Sequence, residues 1–287
     1  MIMNRSKVGR NGTRAPRSVC VVGGAGGMGR MFTRLLRGRL EQVMVADVSE
    51  GPVRWREAVA CEMVLLAVPI GEMARVVRRM APLTGNDCAV IDLCSTKSGP
   101  LGWMRESLEC QVLGTHPFFG PSTASLEGRL VFTCQGRPGD LTRWFEWMLR
   151  EEGAELVDMD PLSHDRLMAR VQVLRQAVLL LTARSLEMLG CDPRKLSGLA
   201  GETTFSLWSL MLRQMEENSV LWADIWLSNP FTPQVLESLN RALAETRGWF
   251  DSGDRDELSR KLNRSGSGTR RTFAPRPPPG RSPSSIR

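Results

Sequence analysis

The chain holds only two histidines, and both stand where an imidazole can act on a bound molecule. His116 lies in Gly114-Thr-His-Pro-Phe-Phe-Gly120-Pro, just past the apolar run Gln111–Gly114. That segment has neither helical nor strand periodicity, so it reads as a loop and His116 as a poor core residue. An imidazole titrating near neutrality suits proton acceptance. Asp92-Leu-Cys-Ser95-Thr-Lys97 follows the preceding apolar run and offers a carboxylate, a hydroxyl and an ammonium. His164-Asp165 opens a long helical pattern and reads equally as a capping pair or as a second imidazole for a site. Arg213 interrupts the apolar stretch Leu207–Met215. A guanidinium there fits a carboxylate-bearing substrate, with an intrahelical pair to Glu217 as the alternative. Seven cysteines show no CxxC pair and no Cys/His cluster, so no metal site of a common type is expected.

Such groups need a frame, and a glycine loop supplies one end of it. Gly24-Ala-Gly26-Gly27-Met28-Gly29 follows the β-branched run Ser18–Val22 and opens a helical pattern, Met28–Arg37. In that context G-x-G-x-x-G is the dinucleotide fingerprint. Gly24 permits the tight turn, Gly26 lets the backbone approach a pyrophosphate, and Gly29 lets helix and strand pack closely. Gly27 and Met28 open a helix whose free N–H groups and positive dipole end face the phosphates. A second run, Gln42–Asp47, ends on a carboxylate 23 residues after Gly24. Asp47 can accept hydrogen bonds from the adenosine ribose and would repel a 2′-phosphate. No arginine directly follows it, so NAD is expected rather than NADP.

The remaining runs complete a sheet: Met63–Val68, stopped by Pro69, then Ala89–Asp92, Gln111–Gly114, Leu130–Thr133 and Glu155–Asp158. Continuous apolar runs mark strands buried on both faces of a mainly parallel sheet. Helical patterns at Met28–Arg37, Ile70–Met80, Leu101–Leu108 and Leu141–Glu151 alternate with them. The expected class is α/β: a Rossmann-like doubly wound sheet followed by an all-helical domain. In such sheets ligands bind beyond the carboxyl ends of the strands, where both Asp92–Lys97 and Gly114–Pro121 point. After Asp160 the pattern is helical: Ser163–Leu189 with Ser163 as N-cap and Gly190 as stop, then Phe205–Met215, Val220–Leu227, Gln234–Phe250 and Asp254–Leu262. The expected organisation is a disordered basic extension (1–17), an NAD-binding domain (18–160), a helical substrate and dimerisation domain (161–264) and a disordered Pro/Arg/Ser-rich tail (265–287). The apolar stripe of Ser163–Leu189 (Leu167, Met168, Val171, Leu174, Val178, Leu181, Leu186) and that of Gln234–Phe250 are too wide for one small domain to cover, so a homodimer through the helices is expected.

Composition excludes several classes. The formal charge of +7 resides in the tails, where each of 1–17 and 265–287 carries five cations and no acid, leaving the body at −3. A nucleic-acid-binding fold is therefore not expected. Cys20, Cys61, Cys88 and Cys134 lie in apolar runs, as free buried thiols do in a reducing cytoplasm. The most apolar stretch, Gln176–Ala183, is far too short to span a membrane, and the N-terminal segment lacks a secretory apolar region.

From these residues alone the chain reads as an NAD-dependent dehydrogenase acting on an anionic small molecule. It resembles the prephenate dehydrogenase family, arogenate dehydrogenases included, over about residues 18–240. The resemblance is carried by VVGGAGGMGRMF, MVLLAVPI, DLCSTKSGP, GTHPFFGPS, HDRLMARVQVLRQ and Arg213 followed by Leu221-Trp-Ala-Asp-Ile225. It implies a cyclohexadiene substrate with a ring carboxylate, which passes hydride from C4 to NAD, loses CO2 and becomes aromatic. It further implies that His116 accepts the proton of the C4 substituent, Ser95 hydrogen-bonds near C4, Arg213 pairs with a substrate carboxylate, and His164 supports the pocket wall. Lys97 would add positive charge at the crevice, and Val68 and Pro69 would line the cofactor. At Gln176 many members of the family carry histidine, and this change of a titratable group to an amide opens the choice between prephenate, arogenate and the C4-amino analogue 4-amino-4-deoxyprephenate, a precursor type used in antibiotic synthesis. Two other readings stay open. A β-hydroxyacid dehydrogenase or imine-reductase-like enzyme shares the plan, although Ser163–Leu189 holds no lysine for its acid/base. A catalytically silent NAD-binding regulator is the other.

Overall fold

The computed structural model describes residues 14–47, 52–191, 201–215 and 219–272, with the side chains among them except 52–54, 215 and 266–272. Each apolar run becomes a strand: β1 (Ser18–Val22), β2 (Gln42–Ala46), β3 (Met63–Leu66), β4 (Ala89–Asp92), β5 (Gln111–Pro117), β6 (Leu130–Arg137) and β7 (Glu155–Asp158). They form one sheet in the order β2-β1-β3-β4-β5-β6-β7. Pairing is parallel from β2 through β5; β6 lies antiparallel on β5, and β7 parallel to β6. Every residue of β3 and β4 is buried, which is why these strands read as unbroken apolar runs.

The first half of the fold alternates strand and helix: α1 (Gly27–Arg37), α2 (Pro52–Val59), α3 (Ile70–Met80), α4 (Ser98–Ser107) and α5 (Asp140–Glu151). α1 and α5 pack on the sheet face built from Val19, Val21, Leu65, Ile91 and Leu113. Phe32 of α1 and Phe145 of α5 stack at 6.2 Å, and each buried ring contributes about 1.5–3 kcal/mol. α2 is absent from the sequence reading, because arginines and glutamates interleave its apolar positions; it packs on β1–β3 with Trp55 and Ala58 buried.

The long helix after Asp160 differs from expectation in cap and in phase. α6 (Pro161–Met168) is capped by Asp160, whose carboxylate accepts the Ser163 N–H at 2.9 Å; Ser163 is thus inside the helix, not its cap. A π-turn, Ala169–Val173, joins α6 to α7 (Leu174–Met188). Its extra residue rotates everything downstream. The buried set becomes Met168, Ala169, Val173, Gln176, Ala177 and Leu179, while Val171, Leu174, Val178 and Leu181 turn outward at 36–50% exposure. The apolar stripe seen in the sequence therefore lies mostly on the outside.

α8 (Glu202–Met215) and α9 (Ser219–Ser228) complete a first compact unit, residues 1–232. The second, 233–287, contains α10 (Thr232–Asp251) from its second residue onward and α11 (Arg255–Thr272). Within it, Asp254 caps α11 by accepting the Asp256 and Glu257 N–H groups, both at 2.9 Å. α11 runs to Thr272, beyond the Leu262 end that its charge pattern marked and into the segment expected to be disordered. At the other end, Arg14 and Arg17 belong to the ordered body rather than to a free extension: both pair with Glu62, at 3.1 and 2.5 Å. No described helix is long and apolar enough to cross a membrane.

Candidate active site

The glycine loop is shaped by contacts that leave no room for side chains. Gly23 closes β1 at φ +80°, and a Cβ there would lie 2.5 Å from the Ala67 carbonyl oxygen. A Cβ at Gly24 would meet Val45 at 2.4 Å, and one at Gly29 the Gly23 oxygen at 2.2 Å, so the first turn of α1 crosses its own loop at backbone contact. Gly26 is the N-cap of α1 and supplies no capping side chain. The first amides of α1 and the positive end of its dipole therefore stay open to a ligand. A cavity of about 590 Å³ adjoins, lined by Gly24, Gly27, Arg30, Arg34 and Val45 among others. Asp47 is half-buried one residue past β2, Val68 buried past β3, and Pro69 exposed at the head of α3. This cradle fits a dinucleotide pyrophosphate, and Gly23 is the loop residue that the fingerprint does not name.

The second half of the site is a buried polar network at the carboxyl ends of β4 and β5. His116 lies within β5, paired with Phe132 of β6, and not on an irregular loop. The Pro/Gly-rich segment hid the strand because Pro117 ends the ladder there. Phe118 and Phe132 meet its ring at 5.7 and 6.1 Å. His116 Nδ1 lies 3.0 Å from His164 Nε2, and His164 Nδ1 lies 2.8 Å from Asp165 Oδ1. Asp165 also accepts the backbone N–H groups of Lys97 (2.7 Å) and Ser98 (2.9 Å) and the Ser98 hydroxyl. It therefore caps the start of α4 from another element while holding His164. Asn229 Nδ2 donates to the Asp165 carbonyl at 2.8 Å and fixes the far end of α9 against this corner.

Electrostatics settle the proton positions. Burial raises the Asp165 carboxyl, but His164, Ser98 and the two backbone N–H groups outweigh it and hold the group below the ordinary carboxylate value. An ionised Asp165 can only accept, so His164 carries its hydrogen on Nδ1. Burial pushes His164 below its ordinary value against the pull of Asp165; it is neutral, and Nε2 presents a lone pair. His116 must then donate from Nδ1. Burial, then His164 and Lys97, push His116 well below its ordinary value. It is a neutral imidazole with a bare Nε2, the state a general base requires.

Lys97 does not face the crevice, contrary to expectation. Its side chain is fully buried, with Nζ donating to Asp92 and, at 2.6 Å, to the Thr115 carbonyl. Gly114 makes the space: a Cβ there would lie 3.2 Å from Lys97 Cδ and 3.3 Å from Asp92 Oδ2. Burial raises the Asp92 carboxyl, opposed by Lys97. Lys97 thus belongs to the frame that ties β4 to β5 and biases His116 toward neutrality. Ser95 is half-buried in the turn between Asp92 and Lys97. Gln176 is buried on α7, where its Oε1 accepts the Trp226 indole N–H at 2.9 Å. Arg213 stands exposed on α8 and makes no ion pair with any described residue; Glu217, its alternative partner, lies outside the described residues. Asp165, Asn229 and Trp226 are the site residues that sequence reasoning missed in role. Only Asp165 left a trace, as the neighbour of His164. Among the described residues no group of His, Cys, Asp and Glu is arranged to hold a metal ion.

Fold and site together define a Rossmann-type nucleotide-binding protein with a helical region after its sheet. Residues 41–146 match the family model described as prephenate dehydrogenase, nucleotide-binding domain, and residues 160–264 the model described as prephenate dehydrogenase, dimerization domain. The chain belongs to the prephenate dehydrogenase family. It is 29% identical over 248 residues to the T-protein of Enterobacter agglomerans, covering 86% of this chain and 66% of that protein, just under two thirds of its length. It is also 29% identical over 257 residues to the 4-amino-4-deoxyprephenate dehydrogenase of Streptomyces pristinaespiralis, covering 83% of this chain and 86% of that one. Its fold matches the prephenate dehydrogenase of A. aeolicus, solved with hydroxyphenyl propionate and NAD+, with a TM-score of 0.73 at 18% identity over 90% and 98% of the two chains.

Proposed function

We propose that this protein is an NAD-dependent oxidative decarboxylase of prephenate or a ring analogue, forming an aromatic product. The observation that carries the reading is the chain His116–His164–Asp165 at the carboxyl end of β5, which leaves one neutral imidazole nitrogen bare. His116 Nε2 accepts the proton of the C4 substituent. The resulting imidazolium is stabilised through His164 by the buried Asp165 carboxylate, the logic of a catalytic triad with histidine as the middle group. Ser95, in the turn after β4, hydrogen-bonds beside C4, and Arg213 pairs with a substrate carboxylate. The glycine cradle and Asp47 hold the dinucleotide, and NAD supplies the hydride acceptor when bound. Phe118 and Phe132 keep water from the ring side of His116. Two copies assemble through the helical region, in keeping with the dimerization-domain match and with the outward apolar stripe of α7.

The C4 substituent of the substrate is either hydroxyl or amino: the T-protein and the 4-amino-4-deoxyprephenate dehydrogenase are each 29% identical to this chain. Gln176, with Oε1 taken by the donor-only indole of Trp226, offers its amide nitrogen as a neutral donor to either. The test is NADH formation by the purified protein with NAD+, comparing kcat/KM for prephenate, arogenate and 4-amino-4-deoxyprephenate. A tenfold preference for the amino compound assigns the amino substituent; the same preference for prephenate or arogenate returns the protein to tyrosine synthesis; no turnover of any of the three overturns the proposal.

A further inference from the structure

Two buried thiols that the chemistry above does not use sit side by side at the opposite end of the sheet. Cys88 directly precedes β4 and Cys110 directly precedes β5. The strands run parallel with Ala89 opposite Gln111, so the register sets Cys88 opposite Cys110. The ladder reaches this far, since the Gln111 N–H donates to the Cys88 carbonyl at 3.1 Å. Neighbouring strands lie about 4.8 Å apart, inside the Cα separation of about 4.4–6.8 Å that a disulfide spans. Both side chains leave the same face, because each stands one residue before a paired position. The two thiols therefore face each other across the strand pair.

Their surroundings differ: the neighbouring Cys88 thiol, opposed by burial and helped by Arg137, draws the Cys110 thiol below its ordinary value, whereas Cys110 and burial push Cys88 up. Arg137 stands directly by, donating from Nη1 to the carbonyls of Cys110 (2.7 Å) and Leu108 (2.8 Å). Burial drives Cys94, just past β4, and Cys134, within β6, up instead, Cys134 to about 12.

We propose that Cys88 and Cys110 are a reversible oxidation site that closes to a disulfide across β4 and β5. The Cys110 thiolate takes oxygen from hydrogen peroxide, giving the sulfenic acid and hydroxide. The Cys88 thiol then attacks that sulfur, forming the S–S bond and expelling water; a dithiol reductant restores both thiols. The bond ties together the ends of the two strands whose opposite ends carry Asp92 and His116.

The test is peroxide treatment of the native full-length protein, followed by thiol titration in denaturant and peptide mapping without reductant. The seven free thiols are expected to fall to five, with a Cys88–Cys110 cross-linked peptide that dithiothreitol removes. In Cys88→Ser, a sulfenic-acid probe is expected to label Cys110; in Cys110→Ser it leaves Cys88 unlabelled. Retention of all seven thiols, oxidation confined to Cys61 or Cys191, or a Cys88–Cys110 link that forms only after unfolding in urea would each overturn the proposal. The mapping of the unsubstituted protein stands even if a variant fails to fold.

Discussion

The imidazole of His116 is kept in its uncharged, proton-accepting form by what surrounds it. Burial, His164 and Lys97 keep it uncharged, so it is ready to accept a proton at any pH above its lowered value. Replacing His116 with Asn is expected to lower kcat by about 10²–10⁴-fold with NAD binding intact by fluorescence titration; unchanged turnover rejects the role. The acid limb of kcat/KM should fall below the ordinary histidine value of about 6.5, because the folded protein resists protonation at residue 116. Stability has the same sign. His116 and His164 take protons more readily unfolded than folded, so stability falls as pH drops through about 6.5. Asp165 acts in the other range: its folded value is lowered, so its contribution is complete above the ordinary carboxylate value and is lost as pH falls through the folded one. For Asp165→Asn, kcat should drop by up to about 10⁴-fold and the acid limb should move, with KM little changed. A purely structural Asp165 would lower Tm and leave the limb in place. At this scale the sequence marks which residues are unusual and not how they pair. His116 and His164 are 48 positions apart, and only tertiary folding shows that one imidazole donates to the other. Lys97 misleads for a related reason: a lysine beside a crevice looks like a substrate contact, and the missing Cβ of Gly114 that lets it turn inward belongs to a different strand.

Among the elements, β4 and β5 form the central support, tied by the Lys97–Asp92 pair and by the Thr115 hydroxyl on the Asp92 carbonyl at 2.6 Å. Lys97→Met leaves a carboxyl buried without its cation. Breaking one side of a buried pair costs about 3–5 kcal/mol, on the order of 10 °C in Tm for a chain of this size. A thermal melt unchanged to within a degree or two would show that the pair contributes little. The double change Asp92→Leu, Lys97→Met should recover part of the loss, since apolar replacement of a whole buried pair is often neutral or stabilising. The elements themselves were largely legible. Each of the seven strands overlaps one of the apolar runs, most clearly β3 and β4, which are buried throughout; β5 and β6 continue past theirs to Pro117 and Arg137. Helix α2 was not legible, since Trp55 and Ala58 bury between charged residues whose stems lie at the surface. The π-turn at Ala169–Val173 was not legible either. No residue type signals it, yet it moves Val178 and Leu181 from the side where the period places them.

That displaced phase governs the whole molecule. The stripe read as too wide for one small domain to cover faces out, and Met188 at 82%, Phe205 at 52% and Leu227 at 88% exposure stand on α7, α8 and α9. Isolated exposed leucines are ordinary, but a run of them along consecutive helices marks an interface. A dimer of standard size buries about 1,600 Å². Light scattering is expected to give twice the 31.9 kDa chain mass. Val178→Glu with Leu181→Glu sets charges on the stripe without touching the His116–His164–Asp165 corner, so it should halve the mass while the circular dichroism of the sheet and helices persists. A monomeric mass for the unsubstituted protein would end the case for this interface. A dimer that survives both glutamates would move the interface off α7, leaving the outward stripe to another occupant.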